Sequence, residues 1–160
     1  INFPSAQAHI TRKLDLGQHG LLQVAGGLFS KELPIVLGSS TTGFRGVGKV
    51  RNIGPHAGFV YWFPLSSRLG VQTNARAYYT LMGSSTTGPK AQSSLSLQYG
   101  LLGTYRLKSN WMGYAGYAFR KDEAQYGTNA GDVESYAQPG QINTISIQGH
   151  YLNLLLEYSF

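Results

Sequence analysis

Residues Thr144 to Phe160 read T-I-S-I-Q-G-H-Y-L-N-L-L-L-E-Y-S-F. From His150 onward the even positions carry His150, Leu152, Leu154, Leu156, Tyr158 and Phe160, and the odd ones include Asn153, Glu157 and Ser159. Alternation with a period of two is the mark of a β-strand with one apolar and one polar face. Its length, its aromatic pair Tyr158 and Phe160, and the apolar residue on which it stops separate this strand from an ordinary half-buried one. A terminal strand that meets water is expected to be polar and frayed. The pattern therefore points to a strand with one face toward lipid, and the rival reading is the last strand of a soluble β-sandwich or barrel.

Composition narrows the choice. The chain has 160 residues, the size of one domain, and is 42% hydrophobic but only 12% charged, about half the charged share of a usual soluble domain. Tyr (11 residues) and Gly (21) are abundant, which suits a surface that meets lipid between two aromatic rings. No apolar run is long enough for a membrane helix; the longest extends from about Gly58 to Leu65. A chain of this kind that crosses a bilayer must do so as a closed barrel, because lipid satisfies no backbone hydrogen bonds. The absence of cysteine rules out disulfides and thiolate metal sites. Ile1 to Ile10 contains no charged segment followed by an apolar core, so either a signal peptide has been removed or the chain has been trimmed. The net charge of +6 is spread singly from Arg12 to Lys121, against the clustering that nucleic acid requires. Lipopolysaccharide phosphates are the expected partners of those cations, and solvated loop surface is the alternative.

Outward from the last strand, alternating segments recur along the chain. Leu69 to Met82 sets Leu69, Val71, Ala75, Ala77, Tyr79 and Leu81 against Gln72, Asn74, Arg76 and Tyr78. Arg76 cannot point into lipid unpaired, so its face is the interior. Gln92 to Leu107 repeats the design, with Leu95, Leu97, Tyr99, Leu101 and Tyr105 outward against Ser94, Ser96, Gln98, Thr104 and Arg106. Trp111 to Arg120 places Trp111, Ala115, Tyr117 and Phe119 outward and Tyr114, Gly116 and Arg120 inward. His56 to Phe63 places Ala57, Phe59, Tyr61 and Phe63 outward, with Gly58 and Trp62 inward. Ala6 to Leu16 alternates too, except that Arg12 falls on the apolar side and must lie near an interface. Leu21 to Phe29 and Ile35 to about Lys49 complete the expected set of eight spans. Both termini are then expected on one side, that of the short turns.

Short links are expected at Lys31-Glu32-Leu33-Pro34, near Asn52 to Pro55, at Pro64 to Arg68 and at Leu107 to Asn110. Longer loops are expected at Ser39 to Gly43, Ser84 to Lys90 and, largest, Asp122 to Gln141. Eight spans of roughly 9–11 residues use about half the chain. An eight-stranded barrel encloses an interior just wide enough for side chains to fill, so no open diffusion pore is expected.

The segment from Leu152 to Phe160 resembles the closing strand of small eight-stranded bacterial outer-membrane β-barrel proteins of OmpA/OmpX-type architecture, and the alternation extends that likeness along most of the chain. The resemblance implies an all-β, up-and-down transmembrane barrel formed by residues 1–160 as one domain in the outer membrane of a Gram-negative cell. It further implies recognition by the barrel-assembly machinery through the strand ending at Phe160, a monomer, and a structural or surface-interaction role carried by loops at the cell surface.

The expected interior network comprises Arg76, Arg106, Arg120, Glu157, Asn74, Gln98 and Asn153, with Gln72, Tyr78, Tyr114 and Tyr151 beside them. Glu157 is expected to form an ion pair with Arg106 or Arg120, since an unpaired buried charge is costly. Two uses are open to these groups, a polar plug or a proton or ion path. The expected lipid-facing and interfacial aromatics are Phe59, Tyr61, Phe63, Tyr79, Tyr99, Tyr105, Trp111, Tyr117, Tyr158 and Phe160. The alternative of a lipid A-modifying enzyme needs a His, a hydroxyl two residues away and an acid. The nearest approach is His9-Ile10-Thr11, which lacks the acid, so no catalytic residue is assigned. His150, His56 and His19 are read as groups with hydrogen-bonding or headgroup roles. Neither metal spacing nor a phosphate loop occurs; Gly43 to Gly48 lacks the Lys-Ser/Thr ending. No cofactor is expected. A soluble, lipocalin-like ligand barrel is the other alternative and would fill its centre with apolar side chains, the inverse of Arg76, Arg106 and Glu157 inside.

Overall fold

A computed structural model describes residues 5–39, 43–85, 90–108, 110–127 and 142–158. They form nine strand segments: β1 Ser5–Asp15, β2 Leu21–Ser39, β3 Gly43–Pro64, β4 Leu69–Thr80, β5 Met82–Ser85, β6 Lys90–Gln92, β7 Ser94–Lys108, β8 Trp111–Gly127 and β9 Ile142–Tyr158. One 3-10 turn, Gly17–His19, lies between β1 and β2. All segments belong to one sheet, ordered β1-β2-β3-β4-β7-β8 with β9 on the far side of β8. Every neighbouring pair is antiparallel. The short segments β5 and β6 continue the lines of β4 and β7, beside β3 and β8.

Register assigns every side chain to a face. Along one rung, Lys13, Gln23, Val60, Asn74, Gly100, Ala118 and Tyr151 oppose one another in turn. The next rung carries Arg12, Val24, Phe59, Ala75, Tyr99, Phe119 and His150. The first set shares a face with Arg76, Gln98 and Glu157; the second faces the other way.

The sheet curls strongly toward the first face. Lys31 of β2 pairs with Asp122 of β8, although in a flat sheet strands four places apart would be about 19 Å from one another. Arg76 Nη1 of β4 donates to Gln7 Oε1 of β1 at 3.1 Å, and Trp62 Nε1 of β3 donates to Thr104 Oγ1 of β7 at 3.1 Å. The polar face is therefore concave. No ladder joins β1 to β9 among the described residues.

Several expected boundaries move. Lys31-Glu32-Leu33-Pro34 is the interior of β2, not a turn, and Ile35 to Lys49 is divided between the ends of β2 and β3. Asn52 to Pro55 also continues as strand. Gly54-Pro55 there forms a bulge: Ile53 pairs with Met82 and His56 with Tyr78, so three residues of the neighbouring line, 79–81, oppose two. Proline suits a bulge because it has no N–H to offer the ladder. A Cβ on Gly54 would lie 1.9 Å from the Tyr79 carbonyl oxygen. Asp122 to Gly127 belongs to β8, so of the expected long loop only 128–141 remains, outside the described residues. The same holds for 40–42 and for 86–89 of the other two loops. The turns at 65–68 and at Asn110 fall where expected. They share one end of the sheet with the 3-10 turn and Tyr158, whereas Ser5 lies at the opposite end; the first and last described residues are not on one side.

Replacing Gly54 by Ala is expected to destabilise the folded chain by at least about 1–3 kcal/mol, because backbone must move to admit the methyl group. Gly103→Ala, whose Cβ would meet Ala115 O at 3.6 Å, is expected to stay within about 0.5 kcal/mol. Urea unfolding of the refolded variants measures both.

Candidate functional site: the concave polar face

The concave face is built in three tiers. At the end where β2 meets β3 and β8 leads toward 128–141, Asp122 receives Lys31 and, at 2.9 Å, Arg120 Nε. Lys31 and Asp122 side chains are each 13% exposed. Beside Asp122 the ladder between β7 and β8 is interrupted and hydroxyls replace its bonds. Ser94 Oγ donates to the Glu123 carbonyl at 2.9 Å, and Glu123 N–H donates to Ser96 Oγ at 2.9 Å. Asn52, Thr80, Ser94 and Ser96 are buried there with Leu33, Val50 and Ala124.

The middle tier holds Gln7, His9, Phe29, His56, Arg76 and Tyr78. Gln7 accepts from Arg76 and donates to Tyr78 Oη at 3.4 Å. His56 lies 5.7 Å from His9 and 5.6 Å from Tyr78, ring centre to ring centre, with neither imidazole nitrogen hydrogen-bonded to protein. Asn74 lies over Gly100, in space that only a glycine leaves open. Gln98 stands between Arg76 and Arg120 on one rung.

At the short-turn end, Tyr114 Oη donates to Glu157 Oε2 at 2.6 Å. An open cleft of about 380 Å³ lies beside them, lined by Gln72, Leu102, Tyr114, Leu155, Leu156 and Glu157. Asn153 stands on the rung of Gly116 and Leu102. The expected ion pair of Glu157 with Arg106 or Arg120 is not formed. Arg106 shares a rung with Glu157 but Met112 separates them, about two strand spacings apart, and Arg120 is engaged by Asp122.

The other face is convex and mainly apolar, with Arg12 and His150 also on it, Arg12 on the rung of Val24 and Phe59. Tyr99 packs on Phe119 at 5.2 Å and on Tyr117 at 6.3 Å, Trp111 on Tyr158 at 4.9 Å, and Tyr61 on Phe63 at 6.5 Å. Phe59, Tyr79 and Tyr105 are 40–45% exposed on the same face; Phe160 lies outside the described residues. Tyr117 Oη and His150 Nδ1 are 2.5 Å apart, so the outward His150 is hydrogen-bonded. Outward positions of β3 stay apolar from Ile53 to Phe63, and those of β8 from Trp111 to Phe119. One step further stand Arg51, which binds Glu32 at 2.7 Å, and Lys121, which binds Glu123 at 2.8 Å. The Arg51 hydrogen bond holds the Glu32 carboxyl below the usual carboxylate range.

Lys31, Asp122 and Gln7 were not among the expected site residues. The signal for Lys31 was present: Phe29, Lys31 and Leu33 continue the odd-numbered inward set of β2, but Pro34 made the segment look like a turn.

No family model, curated protein or solved structure matches the chain. Among the described residues no group of three or more His, Cys, Asp or Glu is arranged to hold a metal ion, and no helix is long and apolar enough to cross a membrane.

Asp122→Asn, which leaves Lys31 and Arg120 without their counter-charge, is expected to cost about 2–4 kcal/mol of folding stability. Combining it with Lys31→Met is expected to cost less than the sum of the two single changes, and a double-mutant cycle on chemical unfolding measures the difference.

Proposed function

We propose that this chain is a small β-barrel of the bacterial outer membrane, plugged by its own side chains and serving as a wall and surface platform rather than an open porin or an enzyme. The observation that carries the reading is inverted polarity. Among the described residues, the buried polar side chains Asn52, His56, Thr80, Ser94, Ser96 and Thr104 outnumber the buried apolar ones, Phe29, Leu33, Val50, Leu102 and Ala124. Leu95, Leu97, Leu101, Leu154 and Leu156 meanwhile stand exposed on the convex face. Water penalises such a surface at roughly 25 cal/mol per Å² of apolar area, whereas acyl chains do not.

The apolar run Ile53 to Phe63 has the length of one tilted crossing, about 9–11 residues. It is bounded by Arg51 and Glu32 at one end and by the aromatic ends of β3, β8 and β9 at the other. The Lys31–Asp122–Arg120 triad and the hydroxyl cluster beside it would obstruct passage along the axis. In this reading lipopolysaccharide meets the outer rim, the assembly machinery meets the last strand, and the long connections face outward as contact surfaces.

Leu101→Arg separates lipid from water. Leu101 is 56% exposed, so in a water-soluble protein the change is expected to cost no more than about 0.5 kcal/mol. At the middle of a bilayer it is expected to cost about 2–4 kcal/mol. Folding titrations in lipid vesicles read the difference. The same preparation is expected to migrate differently on a gel before and after boiling, and to co-fractionate with outer membranes; a monodisperse monomer without detergent would overturn the proposal.

A further inference from the structure

Cations at the two ends of the sheet are treated differently. Near the long connections they are engaged by carboxylates: Lys31 and Arg120 by Asp122, Lys49 and Arg51 by Glu32, and Lys121 by Glu123. At the short-turn end Arg68, Arg106 and Lys108 are exposed and form no ion pair with a described residue. The carboxylates of that end are occupied elsewhere, Asp15 by the Gly17 N–H at 2.8 Å and Glu157 by the Tyr114 hydroxyl.

Two of the three cations stand opposite each other. Leu69 of β4 pairs with Tyr105 of β7, and one residue further the Arg106 N–H donates to the Arg68 carbonyl at 2.8 Å. Facing positions on neighbouring strands hold their Cβ atoms only about 4.5–5.5 Å apart, and like charges there repel. Lys108 follows on the rung of Trp111 and Tyr158. Such a pair is relieved by an anion that both side chains can hold, and the guanidinium fork fits phosphate oxygens two at a time.

We propose that Arg68 and Arg106, with Lys108 beside them, bind the phosphate of an anionic phospholipid headgroup on the short-turn side of the membrane. The proposal rests on the barrel reading above and adds a lipid partner at the end opposite the lipopolysaccharide rim. The surroundings select a lipid over a free ion. Leu65, Leu69, Tyr105 and Leu107, which flank the cations in sequence, are 45–54% exposed, and the Trp111 ring packs on Tyr158 next to Lys108. A phosphate that arrives with acyl chains covers this apolar rim while it meets the guanidinium groups, whereas a free ion leaves the rim in water.

The chain has two tryptophans, and Trp62 is held inside by its bond to Thr104. Trp62→Phe therefore leaves Trp111, at the proposed site, as the sole indole emitter. This parent is refolded in phosphate-free nonionic micelles and titrated with phosphatidylglycerol whose acyl chains carry bromine, a quencher of nearby indole. Saturable quenching is expected. Arg68→Gln/Arg106→Gln is expected to raise the half-quenching concentration about tenfold or more, as two cations at a lipid surface dictate. Arg51→Gln, at the other end, is expected to leave it unchanged. Without lipid the double variant is expected to unfold at no lower urea concentration than the parent, because a like-charge pair has been removed. Arg106→Gln alone, expected to raise the half-quenching concentration about fivefold, carries the test should the double variant not refold. Equal half-quenching concentrations in parent and arginine variants would overturn the proposal. So would equal quenching by brominated diacylglycerol, which has the chains without the phosphate. Displacement of the lipid by inorganic phosphate at concentrations comparable to the lipid's own would overturn the lipid assignment in favour of a free-anion site. If the chain is monodisperse without detergent, the barrel reading fails, and titration in buffer with water-soluble dihexanoyl phosphatidylglycerol, read as a change in Trp111 emission, still decides the arginine pair.

Discussion

A strand offers only two directions for its side chains, and curling the sheet turns those directions into an inside and an outside. Everything else in this structure depends on that coupling. Because the period is two, a slip of one residue in any ladder would send Arg76 outward and Tyr79 inward together. Register is therefore held by all the residues of a strand at once. The cross-sheet contacts Lys31–Asp122 and Arg76–Gln7 exist only because the sheet bends, and they favour the bend in return by satisfying charges that would otherwise be stranded on the concave face.

The two interruptions of the ladder show how curvature is introduced without losing this order. At Gly54-Pro55 the line of β4 and β5 carries one residue more than β3. The bulge resets parity, so that Leu81 and Met82, adjacent in sequence, are both exposed, at 60% and 65%. Between β6 and β7 the segment 93–96 opposes 122–124, again one residue in excess, and Ser94 and Ser96 replace the lost backbone partners of Glu123. The two sites are joined by the hydrogen bond between Thr80 Oγ1 and Ser94 Oγ at 3.0 Å, in which Thr80 donates because the Ser94 proton goes to the Glu123 carbonyl. Bulges raise local twist and bend, and here they meet where the sheet folds over the buried hydroxyl cluster.

This division explains what could be read from the sequence. The faces of β4, β7, β8 and β9 were legible because each holds one unbroken alternation: Arg76 with Asn74, Leu97 with Leu101, Leu154 with Leu156. Turn positions at 65–68 and at Asn110 were legible because polar residues there follow aromatic clusters. The first third misled because proline and glycine were read as turn formers, their usual role. Pro34 and Gly54-Pro55 lie within strands, Pro34 opposite Lys49 and Gly54-Pro55 at a bulge. Asp122 and Glu123 misled in the opposite way: acidic residues beside a Gly-rich stretch suggest a loop, yet they are held in β8 by Lys31, Arg120 and Lys121. The partner of Glu157 was beyond sequence reasoning. Rung spacing, not charge, decides it, and the nearest donor is the neighbouring hydroxyl of Tyr114.

The interior is also unequal along its axis, and the inequality has a physical source. Near the Lys31–Asp122–Arg120 triad, one carboxylate engages both cations and hydroxyls are bonded, so side chains from β2, β3, β7 and β8 pack closely enough to bury Leu33, Val50 and Ala124 fully or nearly so. At the short-turn end Tyr114 and Glu157 satisfy each other on neighbouring strands, and the Trp62 Nε1 bond reaches over β4 to Thr104 Oγ1 of β7 but no further. The cleft beside Gln72 and Leu102 is what remains. Bonds that reach across the axis close the interior, whereas bonds between adjacent strands leave it open, so the positions of Lys31 and Asp122 determine which end of the sheet is filled.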